Sequence, residues 1–453
     1  MPVNVNMADI SHNHIHYEER LDLVKKLLAD YLHLSTETIK QTKITPVAYD
    51  PDCPFKYNNF VYHLTLPPNT NTSLNIEITS TKQLPPGCVP IPKDNNNREF
   101  ILRLNNPHAE GMHQEKNRTQ NEVSLLSLAS TALKHSPMSG IIPRVYGWGP
   151  GWIFQEFMTG KPLSEAFAGE MSPSEKRGIM KQMIQILKVF REEHVLPGSI
   201  RGWGGVTFDT EGRMASAAMP DVGAGPWDSL GESYKGRIRV KLDEADRNPF
   251  LNGWRENGVR ERVERFVEEG LDGKLDGLER LGDRVIVHGD FTTDNFLYDP
   301  PTNRLTALLD FDFSTITHPA HEYLRSLHDV GGQIIGYKGS TTPEHFEAMA
   351  LQKAQITGIF PSPLPTPLES KDRRHHVDWE LAKVWEEEMR NAGMKRIAGI
   401  ERLADVDELL GLLGPFQLCN RDYLRLNPDE EHRVHWRRKS ERELVDMLEY
   451  LGY

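Results

Sequence analysis

Residues 285–312 constrain the fold of this 453-residue chain more than any other stretch. They read VIVHGDFTTDNFLYDPPTNRLTALLDFD, in which short apolar runs alternate with single polar positions. The run Val285–Val287 predicts a short buried strand. The runs Phe296–Tyr298 and Leu305–Leu309 flank the turn-forming segment Asp299–Asn303, and this arrangement predicts a β-hairpin. The chain therefore contains a small sheet with polar residues at its mouth.

The predicted hairpin also indicates which polar side chains meet. Counting outward from a centre between Thr302 and Asn303 gives three cross-strand pairs: Asn295 with Asp310, Phe296 with Leu309, and Tyr298 with Ala307. Paired residues of neighbouring strands lie roughly 5 Å apart. Asp290 follows the first strand and is one short loop away from the pair formed by Asn295 and Asp310.

Three oxygen-bearing side chains thus converge at one place. Mg²⁺ prefers oxygen ligands, and proteins hold it with one or two carboxylates together with substrate phosphates. Asp310 and Asn295 suit this ion. Asp290 is not needed as a ligand, so it is free to accept a proton or to orient a hydroxyl group.

Composition places the chain among ordinary globular proteins, with 38% hydrophobic and 26% charged residues. The formal net charge of −12 argues against a nucleic-acid-binding protein, which usually carries a basic face. The three cysteines are far apart and form neither a metal motif nor a disulfide framework. No run of about 20 apolar residues is present, as a membrane span would require. We expect a cytoplasmic protein that binds neither nucleic acid nor membrane.

The periodicity of apolar residues divides the chain into two parts. Residues 17–34 predict an amphipathic helix and 113–134 a second one. Between and after them, strands are predicted at Phe60–Leu66, Leu74–Thr81, Phe100–Leu104 and Trp152–Glu156. A capping box at Ser172–Glu175 then opens a mainly helical region, with helices predicted at 258–281, 319–335, 343–357, 377–393, 400–413 and 437–450. We expect an α+β bilobal protein.

The motifs HGDFTTDN and LLDFD resemble the catalytic signature of aminoglycoside phosphotransferase-like enzymes. This family includes choline kinases and is the small-molecule branch of the protein-kinase-like fold. The resemblance implies a small sheet-rich lobe and a larger, mainly helical lobe. It divides the chain into an N-terminal extension (1–40), a nucleotide-binding lobe (41–158) and a catalytic and acceptor-binding lobe (159–453).

The resemblance also implies an ATP- and Mg²⁺-dependent phosphotransferase. Asp290 is its catalytic aspartate, Asn295 and Asp310 are its metal ligands, and His288 braces the catalytic loop. The downstream segment HPAHEYL carries Glu322 where the family usually has aspartate.

The nucleotide contacts implied by the resemblance lie in the first lobe. A loop in CPFKYNNFVYHL is expected to cover the phosphates with the backbone amides of Asn58, Asn59 and Phe60. Arg103 stands where kinase-like enzymes place a lysine, and its expected partner is Glu122 on the following helix. In the hinge WIFQEFMTGKPL, the expected adenine contacts are Glu156 and Phe157.

The expected partner is a small hydroxyl-bearing acceptor, with cationic compounds among the candidates, and the expected assembly is a monomer or dimer. Trp203, Trp227 and Trp254 predict either an aromatic cage for a quaternary ammonium or packing beneath long loops. The alternating histidines at 12, 14 and 16 are of a type that binds metals, but in a polar terminus they are expected to be disordered. A protein kinase, a catalytically inactive nucleotide-binding scaffold and a helical interaction protein remain the alternatives.

Overall fold

The computed structural model describes residues 12–50, 52–68, 70, 84–92, 98–112, 117–281, 284–330, 334, 336, 342–368 and 377–453. The strand predicted at Leu74–Thr81 lies outside these residues. Within them, the predicted bilobal α+β architecture is confirmed, with a small sheet-rich lobe followed by a larger helical lobe.

The small lobe is built on an antiparallel sheet with the strand order β1-β2-β3-β5-β4. Its strands are β1 (Lys43–Pro46), β2 (Asn59–Thr65), β3 (Glu99–Asn105), β4 (Val145–Gly149) and β5 (Trp152–Glu156). Three helices accompany them: α1 (Tyr17–Asp30), α2 (Thr36–Gln41) and α3 (Asn117–Leu133).

The two faces of this sheet have different partners because side chains alternate along a strand. On one face, Phe60, Tyr62 and Leu64 pack with Val24 and Leu28 of α1 in a hydrophobic cluster. The helical N-terminal extension is therefore packed against the sheet. The other face carries the side chains that alternate with these, among them Val61, His63, Ile101, Arg103 and Gln155.

The helical lobe contains the larger hydrophobic core. Its helices are α4 (Leu163–Glu165), α5 (Pro173–Lys188), α6 (Leu230–Arg247), α7 (Val259–Arg265), α8 (Leu271–Leu275), α9 (Leu278–Leu281), α10 (Ala320–Arg325), α11 (Pro343–Thr357), α12 (Trp379–Asn391), α13 (Ile400–Leu413), α14 (Phe416–Cys419), α15 (Arg421–Leu426) and α16 (Glu430–Leu451). Its strands are β6 (Lys161–Pro162), β7 (Gly205–Phe208), β8 (Met214–Ala217), β9 (Val285–Val287), β10 (Phe296–Asp299), β11 (Arg304–Leu308) and β12 (Thr315–Thr317). None of the helices in the described part of the chain is long and apolar enough to cross a membrane.

Gly160 marks the passage between the lobes. It has φ +143°, and a Cβ atom there would lie 2.3 Å from Thr306 Oγ1, so only glycine fits. The next two residues form β6, which pairs with β10 of the hairpin. The connection between the lobes is thus joined directly to the strand that follows Asn295.

The structure corrects the predicted hairpin register. Phe296 pairs with Leu308, one residue from the predicted partner, and Tyr298 pairs with Leu305, two residues from it. The loop is four residues long, Pro300–Asn303, and a bulge at Thr306 shifts the register between the two pairs. A symmetric count from the turn cannot include a bulge, because a bulge adds a residue to one strand alone.

The helix predicted at 319–335 was also wrong in length. It ends at Arg325 because Ser326 is extended and donates its hydroxyl to Glu322. The helix predicted at 258–281 is interrupted by a π-helical turn at Phe266–Gly270 and a break at residues 276–277.

Candidate active site

Asp290 and Asn295 lie at the two ends of the loop that joins β9 to β10. The Asn295 side-chain amide donates to the Asp290 backbone carbonyl at 2.8 Å and to Asp290 Oδ2 at 2.9 Å. Both bonds use Nδ2, so the amide oxygen faces away from the aspartate and is available as an acceptor. The asparagine therefore fixes the orientation of the Asp290 carboxylate, and it has an oxygen of its own to offer a cation.

Glu322 of α10 anchors the start of this loop. Its carboxylate accepts hydrogen bonds from the backbone amides of His288 (2.7 Å) and Gly289 (3.0 Å), and from the Ser326 hydroxyl (2.7 Å). The Ser326 oxygen accepts in turn from the Phe291 amide at 2.9 Å. A buried carboxylate with three donors holds the loop backbone in one position. The sequence indicated only that Glu322 stands in a position the family usually fills with aspartate.

His288 connects the same loop to the hairpin. Its Nδ1 accepts from the Asp290 amide at 3.3 Å, and its Nε2 lies 2.9 Å from the Leu309 carbonyl. A carbonyl can only accept, so these two bonds assign the proton to Nε2. The fully buried ring thus ties Asp290 to the residue before Asp310, a geometry consistent with the bracing role expected of His288.

Asp310 lies at the end of the hairpin, beside Asn295. The Leu309 amide donates to the Asn295 carbonyl at 2.8 Å, which brings the two candidate ligands together despite the shifted register. Asp310 has φ +60°, a strained conformation for a residue other than glycine. Burial and the neighbouring Asp312 carboxylate raise the pKa of Asp310. Its side chain is still 39% exposed, so a ligand can reach it.

Arg103 crosses from the small lobe to this carboxylate. It projects from the same face of β3 as Ile101, as predicted from their alternation, and it pairs with Glu122 of α3. Its second terminal nitrogen donates to Asp310 Oδ1 at 3.2 Å. Burial raises the pKa of Glu122 to about 8, although Arg103 opposes this rise. The Arg103 guanidinium thus lies among the carboxylates of Glu122, Asp310 and Asp312 at the junction of the lobes.

Asp312 and Arg118 belong to this site, although neither was predicted as a site residue. The Asp312 side chain is completely buried and accepts from the Asn59 amide at 2.5 Å. Arg118 of α3 donates to the Asn58 carbonyl (2.8 Å) and to Asn59 Oδ1 (3.2 Å), and it lies 3.5 Å from Asp312. The two residues fix the start of β2 against the loop that carries Asp310. The second aspartate of LLDFD was the only sequence signal for this contact.

The three residues that were expected to cover the phosphates do not all have the same surroundings. Asn58 and Asn59 lie at the start of β2, where Asp312 and Arg118 hold them. The ring of Phe60 points to the α1 face of the sheet, with the Arg20 guanidinium 3.7 Å from its centroid. Its backbone amide was expected to cover the phosphates. Because the Asn106 amide bonds to the Asn58 carbonyl at 2.9 Å, the antiparallel alternation instead places the Phe60 amide in the ladder with Leu104.

The two hinge residues lie at the end of β5. The Glu156 carboxylate is paired with Arg144, and its amide donates to the Arg144 carbonyl at 2.8 Å. The ring of Phe157 stacks on His63 of β2, with a centroid distance of 4.2 Å and an interplanar angle of 15°. Phe157 thus presents an aromatic surface beside the face of the sheet that carries Arg103 and His63.

The donor set of the site suits Mg²⁺ bound together with a nucleotide. No group of three His, Cys, Asp or Glu side chains in the described ranges is arranged to hold a metal ion alone. Asp310 and Asn295 supply one carboxylate and one amide oxygen, which is the small ligand set that Mg²⁺ uses when phosphates complete its coordination. Burial and the neighbouring carboxylates raise the pKa values of Asp310 and Glu122, and a bound cation would offset the negative charge of this cluster.

The tryptophans are not arranged as a common cage. Trp254 is fully buried, donates to the Leu413 carbonyl at 2.9 Å and is covered by Arg437 at 4.5 Å. Trp203 is buried and pairs through its backbone with Trp227. The packing interpretation is therefore correct for Trp203 and Trp254. The histidine prediction was wrong, because His12 and His14 contact Pro54 and Tyr49.

A family model described as "Phosphotransferase enzyme family" matches residues 93–338, which is more than half of the chain. None of the curated proteins matches this chain. Among solved structures, the chain is similar to APH(2″)-IIa in a complex with streptomycin and ATP, with 11% identity, 91% of this chain and 95% of that chain covered, and a TM-score of 0.47.

Two further similar structures are an ethanolamine kinase of Plasmodium vivax (11% identity, 94% and 86% covered, TM-score 0.43) and the macrolide 2′-phosphotransferase MphH of Brachybacterium faecium (12% identity, 93% and 98% covered, TM-score 0.40). The family model spans the sheet strands β3 to β5, the hinge, Asp290, Asn295 and Asp310. The chain belongs to the phosphotransferase enzyme family.

Proposed function

We propose that the protein transfers the γ-phosphoryl group of ATP to a hydroxyl group of a small molecule. The observation that carries this proposal is the cluster in which Asn295 orients Asp290 while Arg103 reaches Asp310 from the other lobe. Asp290 is the candidate base, and Asn295 and Asp310 are the candidate Mg²⁺ ligands. Membership in the phosphotransferase family supports the same reaction class.

The proposed mechanism follows from the charge of the transition state. Phosphoryl transfer spreads negative charge over the γ-phosphoryl oxygens, so catalysis depends on positioning and electrostatic stabilisation. Bound Mg²⁺ would supply positive charge to the phosphate oxygens. Arg103 would add a fixed cation on the small-lobe side, where Glu122 orients it. Asp290, oriented by Asn295, would hold the acceptor hydroxyl in line and accept its proton.

We assign the role of covering the nucleotide phosphates to the segment 52–58 before β2, together with Asn59. The segment 52–58 is called the tip loop. Arg118 and Asp312 hold the base of this loop beside the Asp310 carboxylate. The adenine would contact the backbone of Glu156 and the ring of Phe157. We place the reaction in the cytoplasm, where ATP is available and the three unpaired cysteines stay reduced.

The test is a screen of ATP consumption over a panel of small hydroxyl compounds, with and without Mg²⁺. Aminoglycosides, choline, ethanolamine, homoserine and sugars form the panel. The Asp290→Ala variant should lose about three orders of magnitude in acceptor-dependent turnover, since it removes the proton acceptor. Asp294→Ala is the matched control, because Asp294 is an exposed aspartate in the same loop.

Two results would contradict the proposal. One is an Asp290→Ala protein that consumes ATP as fast as wild type in the presence of the identified acceptor. The other is a wild-type protein that binds Mg²⁺ and ATP but releases no phosphate to any compound of the panel. The second result would favour a nucleotide-binding scaffold on the same fold.

A further inference from the structure

The tip loop of the small lobe and its neighbour Asn59 contact the helical lobe at two places. Asn59, the residue that follows the loop, donates its side-chain amide to Asp312 Oδ2 at 2.5 Å. Asp312 is two residues from the candidate metal ligand Asp310. Three residues before Asn59, Lys56 reaches Asp422 of α15 in the helical lobe. Three residues of extended chain span about 10 Å, so these two contacts are the two ends of one short bridge. The bridge runs from the active-site loop to a helix near the C-terminus.

Two hydrogen bonds join Lys56 to Asp422. The Lys56 ammonium lies 2.8 Å from Asp422 Oδ1, and the Lys56 backbone amide donates to Asp422 Oδ2 at 3.0 Å. The Asp422 side chain is only 3% exposed and that of Lys56 19%. Although burial opposes it, these hydrogen bonds lower the pKa of Asp422. The carboxylate thus binds one backbone atom and one side-chain atom of the tip loop, which fixes both.

Other contacts reinforce the same junction. Arg425 of α15 donates to the Pro54 carbonyl at 2.9 Å. The rings of Phe55 and Phe416 lie 6.2 Å apart across the lobes. The N-terminal segment joins from the other side, where Asn13 donates to the Phe55 carbonyl at 2.8 Å. All of these contacts involve the tip loop between residues 54 and 57.

We propose that Asp422 is a positioning residue that holds the tip loop closed across the cleft and thereby slows the release of nucleotide. This inference rests on the proposed function, because it places the nucleotide phosphates beside Arg103 and Asp310, beneath the tip loop. Departure on this side of the cleft then requires the Lys56–Asp422 contact to break. Asp422 touches neither nucleotide nor acceptor and acts through Lys56.

The test measures the dissociation rate of a fluorescent ADP analogue with Mg²⁺ from wild type and variants. Asp422→Asn removes the charge from this buried, hydrogen-bonded pair and so favours opening of the tip loop, and the nucleotide should then be released about tenfold faster. Arg425→Ala, an exposed residue in the same helix, should act in the same direction without risk to the core. The Lys56→Met/Asp422→Asn double variant should release the nucleotide no faster than Asp422→Asn alone, because the side-chain contact that Lys56→Met removes is already weakened in Asp422→Asn.

Glu110→Gln is the matched control. Glu110 pairs with the same Lys56 ammonium at 3.1 Å, but it belongs to the small lobe, so its loss leaves the bridge to α15 intact. Nucleotide release from this variant should equal that from wild type. Amide hydrogen exchange at Lys56 gives an independent measure, since that amide donates to Asp422. It should speed up in Asp422→Asn, while exchange in α13 and α16 should stay at the wild-type rate.

The outcomes separate the inference from the proposed function. If wild type binds no nucleotide with Mg²⁺, the proposed function fails and the inference fails with it. If wild type binds the analogue but Asp422→Asn and Arg425→Ala release it at the wild-type rate, the positioning role alone is overturned. The same conclusion follows if a lower melting temperature accompanies unchanged dissociation, because Asp422 would then contribute only to stability.

Discussion

Arg103 of β3 donates to Asp310 at 3.2 Å while its other terminal nitrogen bonds to Glu122. One planar guanidinium thus joins a helix of the small lobe to the candidate metal ligand of the helical lobe. A lysine at this position would present a single point of charge, and it cannot reproduce a fork that binds two carboxylates at once. The arginine is therefore matched to its surroundings, although kinase-like enzymes usually carry lysine there.

Replacement of Arg103 by lysine should lower kcat/KM for MgATP by about tenfold, because one of the two carboxylate contacts is lost. Replacement by glutamine removes the charge and should cost about a hundredfold or more. Steady-state kinetics at saturating acceptor would measure both effects. Arg213→Gln is the control, since Arg213 is a solvent-exposed partner of Asp209. Equal activity of the lysine and glutamine variants would contradict the role assigned to the positive charge.

Glu322→Gln should both destabilise the protein and slow catalysis. The glutamine amide group would face backbone N–H donors of the catalytic loop, so one buried donor loses its acceptor, at a cost of about 2 kcal/mol in the free energy of unfolding. The loop that carries Asp290 would also lose its anchor, and kcat should fall. Urea unfolding and kinetics on the same samples test this prediction. Glu401→Gln, an exposed position on α13, should change neither quantity.

Asp310→Asn should raise the Mg²⁺ concentration needed for half-maximal activity. Asparagine keeps the shape of aspartate and tolerates a positive φ, so the backbone at φ +60° stays as it is while one ligand charge is lost. Raised Mg²⁺ should restore much of the activity. A titration of activity with Mg²⁺ makes the measurement, and binding of the free nucleotide without metal should be little changed. A variant with the wild-type Mg²⁺ dependence would exclude Asp310 as a ligand.

The sequence was sufficient for the elements that depend on local patterns. The capping box at Ser172 does open α5, and the strand at Trp152–Glu156 and the helices at 343–357 and 400–413 have the predicted bounds. The hairpin was predicted correctly in existence and wrongly in register, because the bulge at Thr306 depends on packing across the sheet. The 18-residue helix α6 was missed, since its surroundings are rich in glycine, tryptophan and aspartate.

The site residues also divide into those that the sequence could predict and those that it could not. Asp290, Asn295 and Asp310 could be selected because each lies near a strand end, whereas Arg103 was selected through the resemblance to kinase-like enzymes. Arg118 and Asp422 could not, because their partners lie 60 and 366 residues away in the chain and follow no periodic pattern. Contacts between lobes arise from the packing of whole elements, which a single sequence does not reveal.

The last prediction concerns acid stability, to which His318 contributes. Burial and the nearby Arg191 lower the pKa of His318 from 6.5 to about 4. Its Nδ1 accepts from the Ala320 amide at 3.2 Å, so the neutral ring is the form that the fold binds. The unfolded chain takes up a proton below pH 6.5 while the folded protein does not. The contribution of His318 to the free energy of unfolding should therefore fall as the pH drops from 6.5 to about 4, and level off below that.

The contribution of this one residue is at most about 3.4 kcal/mol, from 1.36 kcal/mol per pKa unit. His318→Asn keeps an acceptor for the Ala320 amide and cannot be protonated, so its stability should decline less over the same interval. Buried His321 also has a lowered pKa, and it should leave part of the decline in place. Urea unfolding at several pH values would give both curves, with the exposed His33→Asn as control. Parallel curves for wild type and His318→Asn would show that His318 is not a source of the acid sensitivity.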